Sequence, residues 1–150
     1  MKPMIAVIGA STATKEEVFL AEDVGQRIAK QGWILINGGL GGVMEASAKG
    51  AAQSGGTVVG ILPAPSTSVA NQFVTIPIAT NMGHARNVII AHTADALIAI
   101  GGGEGTLSEI AIARKLDKPV FGIKSWEVAG VISVPDAHTA IEKCRIAVSN

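Results

Sequence analysis

The sequence predicts an α/β fold, a single doubly wound domain of three layers with a parallel sheet of six or seven strands. Short apolar runs alternate with longer stretches of helical periodicity, which is the pattern of consecutive β-α-β units. The apolar runs are uninterrupted, as expected for strands that are covered on both faces. A chain of 150 residues has the length of one domain. We therefore expect one Rossmann-like domain over residues 1–150.

Each predicted element follows from the local pattern of apolar and turn-forming residues. Val18, Ala21, Val24 and Ile28 share one face of a first helix, and Gly32 ends it. Pro135 is placed at the first turn of a last helix. The predicted strands cover 4–8, 33–36, 57–62, 73–79, 96–100, 120–123 and 131–134. The other helices are predicted over 15–31, 43–54, 82–93 and 106–116.

Composition excludes several functional classes. Apolar residues make up 48% of the chain and charged residues 16%, a balance opposite to that of disordered proteins. The net charge is zero, which disfavours nucleic acid as a partner. The apolar run 4–8 is too short for a secretory signal or a membrane span. A lone cysteine, Cys144, favours a reducing compartment, and the histidines lack zinc spacing, so we expect a cytoplasmic protein without a metal site.

Two glycine clusters lie where ligands bind in such a sheet. The first consists of Gly38, Gly39, Gly41 and Gly42, and the second of Gly101, Gly102, Gly103 and Gly105. Each falls between a strand and the following helix, at the carboxyl edge of the sheet. Glycine lets backbone amides approach an anion, and the helix adds unpaired N–H groups. We therefore expect a phosphate site, although glycines also crowd these turns simply because the turns are tight. The predicted binding residues are Ser11, Gly38, Gly39, Gly41, Gly42, Gly102, Gly103, Glu104, Gly105 and Thr106, with Arg86 as the cation.

Neither cluster matches a common nucleotide-binding fingerprint. A P-loop requires Lys and then Ser or Thr after its last glycine, and both clusters lack this pair. A dinucleotide site requires an acidic residue at the end of the second strand, where this chain has Asn37. ATP hydrolysis and a bound NAD are therefore disfavoured.

Three blocks of sequence resemble one known superfamily. Residues 101–109 read Gly-Gly-Gly-Glu-Gly-Thr-Leu-Ser-Glu and contain the Gly-Gly-x-Gly-Thr-x-x-Glu signature of LONELY GUY-like phosphoribohydrolases. The runs Asn-Gly-Gly-Leu-Gly-Gly-Val-Met-Glu over 37–45 and Met-Gly-His-Ala-Arg-Asn over 82–87 resemble two further blocks of that family. The superfamily also contains molybdenum cofactor carrier proteins, which bind a phosphorylated pterin. The resemblance implies that Arg86 and Glu109 are the catalytic pair of a hydrolase. It also implies that phosphate is bound by Gly102, Gly103, Gly105 and Thr106.

Departures from the hydrolase pattern favour the carrier branch. Asn87 stands where the hydrolases have Lys, and Gly101 where they have Pro. Losing a cation removes a charge-assisted bond worth roughly 1.5–3 kcal/mol. We therefore expect a carrier of a phosphorylated nucleotide-like or pterin ligand, with no cofactor required for its own action. The alternative is a phosphoribohydrolase that releases a free base and ribose 5-phosphate from a nucleoside 5′-monophosphate, with Glu109 stabilising the oxocarbenium-like centre.

Structural alternatives remain for these residues. Thr106 and Glu109 have the spacing of a capping box at the start of a helix. Arg86 has the alternative of an ordinary exposed arginine. A mean hydropathy of +0.41 and the apolar helix segment 88–91 predict a homo-oligomer, a dimer or tetramer.

Overall fold

The computed structural model describes residues 1–149 and contains one sheet of seven strands. Every neighbouring pair of strands is parallel, and the order across the sheet is β4-β3-β2-β1-β5-β6-β7. The strands are β1 (Met4–Gly9), β2 (Ile34–Asn37), β3 (Thr57–Leu62), β4 (Ile76–Ala79), β5 (Ala96–Ile100), β6 (Val120–Ile123) and β7 (Ile132–Ser133). The predicted doubly wound α/β class is confirmed.

Five helices cover the two faces of the sheet and make the outer layers. They are α1 (Lys15–Lys30), α2 (Val43–Gln53), α3 (Arg86–Thr93), α4 (Glu104–Lys115) and α5 (Ala137–Val148). Residues of α1, α2 and α5 share one apolar core with one face of the sheet, and residues of α3 and α4 share the other. The interior strand β5 is fully buried, as its uninterrupted apolar sequence predicted.

The strand order creates a crevice between β1 and β5. Strands β2, β3 and β4 extend from β1 to one side, whereas β6 and β7 extend from β5 to the other. The loops that follow β1 and β5 therefore diverge above the sheet, and this is where ligands bind in open parallel sheets. The second glycine cluster lies in the loop that follows β5.

Several local predictions are wrong in detail. The helix that contains Thr106 begins at Glu104 with Gly103 as its N-cap, so Thr106 and Glu109 are not a capping box. The capping box lies instead at α1, where Thr14 and Glu17 satisfy each other's backbone N–H groups. Pro135 precedes the N-cap Asp136 of α5 and is outside the helix, because the aspartate side chain accepts from the Thr139 amide.

Other boundaries move by a few residues. The helix predicted from residue 82 starts at Arg86, after a 3-10 turn over Gly83–Ala85, and β4 is shorter than the strand predicted over 73–79. Cys144 is buried in α5, as expected. Among residues 1–149, no helix combines the length and the apolar character that crossing a membrane requires.

Candidate functional site

A cavity of about 470 Å³ opens at the carboxyl edge of the sheet, at the crevice between β1 and β5. Its size lies within the usual range of small-molecule sites, ~300–1,000 Å³. Both glycine clusters and the start of α3 reach it. The lining residues are Val7, Ile8, Gly9, Ala10, Ser11, Gly38, Leu40, Met44, Pro63, His84, Arg86, Asn87, Gly103, Glu104, Gly105, Thr106 and Glu109.

The N-terminus of α4 faces this cavity. Gly103 is the N-cap and provides no capping side chain, so the first-turn amides of α4 have no partner within the helix. Such a helix end favours an anion. Gly102 makes the turn possible: its φ is +103°, and a Cβ there would lie 2.4 Å from the Thr106 hydroxyl oxygen. Thr106 is thereby held at the cavity wall with 3% of its surface exposed.

Arg86 supplies the positive charge of the cavity. It is the first residue of α3 and is only 6% exposed, so the alternative of an ordinary exposed arginine is wrong. Its Nε donates to the Ile61 carbonyl at 2.7 Å, and Nη2 donates to the Gly38 carbonyl at 3.3 Å. Nη1 donates to the Asn87 side-chain oxygen at 3.1 Å. A guanidinium has five N–H donors, so two remain for a ligand.

Gly38 allows this close approach of the arginine. A Cβ at residue 38 would lie 2.6 Å from Nη2 of Arg86 and 2.7 Å from the sulfur of Met44. Any larger residue would displace the guanidinium from the cavity wall. The glycine of the first cluster that matters most for the site is therefore one that makes room for a side chain.

Glu109 places a carboxyl group opposite the arginine. It lies in the second turn of α4 and is 9% exposed. Burial raises the pKa of Glu109 to about 7, an effect that the positive charge of Arg86 partly opposes. Burial also lowers the pKa of Arg86 from its ordinary value, and the charge of Glu109 opposes that shift. The ion pairs of residues 1–149 do not include this pair, so Arg86 and Glu109 interact across a gap.

The first glycine cluster does not form a second helix-end cradle. The Val43 amide at the start of α2 donates to the Ala10 carbonyl at 3.0 Å. Asn37, fully buried, donates to the Met44 carbonyl and accepts from the Gly39 amide at 2.8 Å. The N-terminus of α2 is thus packed against the loop after β1, whereas residues of the first turn of α4 line the cavity.

The structure brings together eight of the twelve site residues predicted from the sequence. Ser11, Gly38, Arg86, Gly103, Glu104, Gly105, Thr106 and Glu109 line the cavity. Gly39, Gly41, Gly42 and Gly102 do not line it. Gly42 packs against the backbone of Ala10 and Ser11, and Gly39 packs against Leu62, so these glycines shape the loops.

The residues predicted for the site omit two polar residues of the cavity, Asn87 and His84, and also its apolar wall. Asn87 is 6% exposed and holds Arg86 through its side-chain oxygen. Its position next to Arg86 was the available signal. Leu40, Met44 and Pro63 follow the carboxyl ends of β2 and β3, and His84 precedes α3. Only the neighbouring order of these strands in the sheet brings them to one cavity.

The cavity combines one guanidinium with two carboxyl groups and contains no cluster of metal ligands among the described residues. Within residues 1–149 the structure places no three His, Cys, Asp or Glu side chains together as metal ligands. The charged groups at the cavity are Arg86, Glu104 and Glu109.

Comparison with known proteins identifies the family of this chain. The model of the SLOG cluster4 family matches residues 2–147, nearly the whole chain. The chain belongs to the SLOG cluster4 family.

Two solved structures are similar over the full domain. One is the molybdenum cofactor binding protein of the phototrophic bacterium Rippkaea orientalis, with a TM-score of 0.94 and 35% identity, covering 99% of this chain and 98% of that one. Another is the molybdenum cofactor carrier protein of Chlamydomonas reinhardtii, with a TM-score of 0.91 and 34% identity, covering 99% and 100%. The sequence-based assignment to this superfamily is confirmed.

A curated enzyme is also a relative of this SLOG chain. The cytokinin riboside 5′-monophosphate phosphoribohydrolase of Mycobacterium tuberculosis is 33% identical over 132 residues, which is 81% of this chain and 71% of the relative. Carrier proteins and phosphoribohydrolases are therefore both among the chain's relatives.

Proposed function

We propose that this protein binds the molybdenum cofactor, a phosphorylated pterin, as a carrier. One observation carries the proposal: the uncapped N-terminus of α4 and the guanidinium of Arg86 face the same cavity. Three of the five N–H groups of that guanidinium bond to the protein, and two are left for a ligand. Amides at a helix end and a planar guanidinium suit a phosphate monoester. The cavity of about 470 Å³ leaves room for a ring system beyond the phosphate. Two similar solved structures, a molybdenum cofactor binding protein and a molybdenum cofactor carrier protein, support the same choice.

Asn87 favours binding without turnover. Its side chain is neutral where the resembling hydrolases carry a lysine, and it spends its oxygen on Arg86. The cavity therefore has one permanent cation rather than two, which lowers the charge stabilisation available to a departing group. A carrier needs ground-state affinity alone, and the remaining donors provide it.

Native mass spectrometry tests the carrier proposal. The chain is incubated with molybdenum cofactor freshly released from a molybdoenzyme, and we expect a one-to-one complex at submillimolar concentration. Arg86→Lys keeps the charge but loses the planar fork that reaches Gly38 and Ile61. We expect the affinity of that variant to fall about 10- to 100-fold, the equivalent of one charge-assisted hydrogen bond. Undiminished affinity in Arg86→Lys, or no complex with the wild-type chain, contradicts the proposal.

A phosphoribohydrolase is the second candidate, and Glu109 favours it. A carboxyl group in the cavity whose pKa is raised to about 7 is half ionised near neutrality, and its anion stabilises an oxocarbenium-like ribosyl centre. The relationship to a curated phosphoribohydrolase supports this reading. Incubation with a panel of nucleoside 5′-monophosphates decides it. Base release that increases as pH rises through 7 and is lost in Glu109→Ala would establish the hydrolase; release equal to that of the variant would eliminate it.

We also infer that the chain forms a homo-oligomer through an uncharged face beside the cavity. The chain has twelve basic and twelve acidic residues, yet residues 63–94 contain only Arg86 among them, and Arg86 is buried. The surface of this long stretch is therefore uncharged. Two copies of an uncharged surface can pack together without burying an unpaired charge.

The uncharged face has an apolar centre. Ile76 and Ile78 of β4 are 47% and 43% exposed, and Val88 of α3 is 41% exposed. Ile76 and Ile78 pair in register with Val59 and Ile61, whose side chains belong to the core under α3 and α4. Ile76 and Ile78 therefore project from the face of the sheet that α3 and α4 cover. Three helices, α1, α2 and α5, cover the opposite face.

Sedimentation at micromolar concentration tests this interface. We expect a species of at least twice 15.3 kDa, and we expect Ile78→Glu to convert it to monomer because a carboxylate cannot be buried unpaired. The matched control is Phe19→Ser, on α1 at the other face and 73% exposed. A wild-type monomer, or dissociation by Phe19→Ser and not by Ile78→Glu, contradicts the inference.

A further inference from the structure

A second cavity, of about 490 Å³, lies on the other side of the glycine loop that follows β5. Its apolar floor is made by Leu20 of α1, Ile100 at the end of β5 and Ile123 at the end of β6. Gly101 and Gly102 belong to its wall. Gly103 and Gly105 line the cavity of about 470 Å³ described above, which we call the phosphate cavity. We call the second cavity the Trp126 cavity. Its remaining lining residues are Thr14, Glu16, Glu17, Lys124, Ser125, Trp126 and Glu127.

Trp126 is a fixed aromatic surface at this cavity. Its indole N–H donates to the Gly103 carbonyl at 3.1 Å, so the polar edge of the ring is satisfied by the protein. The preceding Ser125 hydroxyl donates to the Gly101 carbonyl at 2.7 Å and ties the same loop down. The ring is nevertheless 39% exposed. An immobilised, partly exposed indole that lines a cavity is a stacking surface for another flat ring.

The Trp126 cavity has a larger excess of carboxylates than the cavity lined by Arg86, where one cation meets two carboxyl groups. Three carboxylates line it, from Glu16, Glu17 and Glu127, against the single cation Lys124. Lys124 is paired with Glu16, and Glu17 is engaged in the capping box with Thr14. Glu127 belongs to none of the ion pairs found within residues 1–149. The cavity therefore disfavours a phosphate and presents a carboxylate acceptor to N–H donors.

We propose that the Trp126 cavity binds an uncharged heteroaromatic ring bearing the 2-amino-4-oxopyrimidine edge that guanine and pterins share. That edge has a ring N–H beside an amino group, and two parallel N–H donors match the two oxygens of a carboxylate. Trp126 stacks on the ring and Glu127 accepts from its edge. The site is separate from the phosphate cavity, and its occupation does not depend on the carrier proposal.

Fluorescence of Trp126 tests the proposal. The chain has two tryptophans, and Trp33 is 9% exposed in the core, so Trp33→Phe leaves Trp126 as the only indole reporter. Titration with guanosine, which has no phosphate, is expected to quench this fluorescence saturably below 1 mM. Inosine lacks the amino group and is expected to bind at least fivefold more weakly. Absence of saturable quenching, or equal affinity for the two nucleosides, overturns the proposal.

Calorimetry measures guanosine binding in chains that keep Trp33, so it tests the proposal without the Trp33→Phe substitution. We expect guanosine binding to be lost in Trp126→Ala and weakened at least fivefold in Glu127→Gln. Glu142→Gln on the outer surface of α5 is the matched control and should leave guanosine affinity unchanged. If Trp126→Ala or Glu127→Gln binds guanosine as the wild type does, the assignment is wrong.

Binding at the phosphate cavity can be lost without loss of binding at the Trp126 cavity. Gly105→Ala introduces a methyl group into the phosphate cavity, whose lining does not include Trp126 or Glu127. Guanosine binding should persist in that variant at unchanged affinity. Loss of guanosine binding in Gly105→Ala would mean that the nucleoside occupies the phosphate cavity, and it would overturn the assignment to the Trp126 cavity.

Discussion

Gly105→Ala is expected to weaken binding of a phosphorylated ligand about 10- to 100-fold, the equivalent of one lost charge-assisted hydrogen bond, without destabilising the fold. Gly105 is the second residue of α4 and lines the cavity. A Cβ at this position meets no protein atom within 4 Å, and the backbone does not need a positive φ. The added methyl group therefore projects into space that the ligand would use, beside the first-turn amides.

The same substitution should leave the free energy of unfolding unchanged or raise it by up to about 1 kcal/mol, since alanine is the better helix former. Urea unfolding and calorimetric titration with the phosphorylated ligand measure the two effects separately. Ser108→Ala, in the next turn of α4 and outside the cavity lining, is the control for binding. Full affinity in Gly105→Ala would show that the N-terminus of α4 does not hold the phosphate.

Glu109→Gln is expected to remove a large pH dependence of stability. The folded chain holds the pKa of Glu109 at about 7, against an ordinary value of 4.5. Between these two pH values the unfolded chain releases its proton while the folded chain retains it, so stability is lost as pH rises. The difference of pKa corresponds to about 3 kcal/mol, present below pH 4.5 and lost above pH 7.

Urea unfolding at pH 5 and pH 8 measures this loss. We expect the wild-type chain to lose roughly 2–3 kcal/mol more than Glu109→Gln between the two conditions. Glutamine does not titrate, although the variant also removes the charge that faces Arg86, so its stability at pH 8 gains less than the full amount. Glu142→Gln, an exposed carboxyl group paired with Arg145, is the control. Equal pH dependence in wild type and Glu109→Gln would refute the account of a buried, unpaired carboxyl group.

The elements of the fold were predictable because their signals are local. Uninterrupted runs such as Ala96–Ile100 are fully buried strands, and Gly32 ends α1 with a φ of +75°. Alternation of strands and helices implies parallel pairing and right-handed crossovers, so the doubly wound class follows from the sequence. The placement of glycines after two strands indicated the edge at which the site lies.

The position of the capping box could be assigned only from the structure, because two segments of the chain have the same Thr-x-x-Glu spacing. Thr14 and Glu17 form a capping box, whereas Thr106 and Glu109 have the identical spacing and lie inside α4. Gly102 and Gly103 start α4 two residues earlier than the sequence indicated, since only glycine accepts the φ of +103° at 102. That shift turns Glu109 from a cap into a buried carboxyl group that faces the cavity.

The sequence by itself determined the fold class and the edge of the sheet at which the candidate site residues gather. Tertiary structure alone decided which of them meet. Arg86 is held in the interior because two carbonyls distant in sequence accept its hydrogen bonds, Ile61 of β3 and Gly38 of the loop after β2. The start of α2 donates instead to the loop after β1. Contacts between residues tens of positions apart depend on strand order and on close approach, and local periodicity contains no information about either.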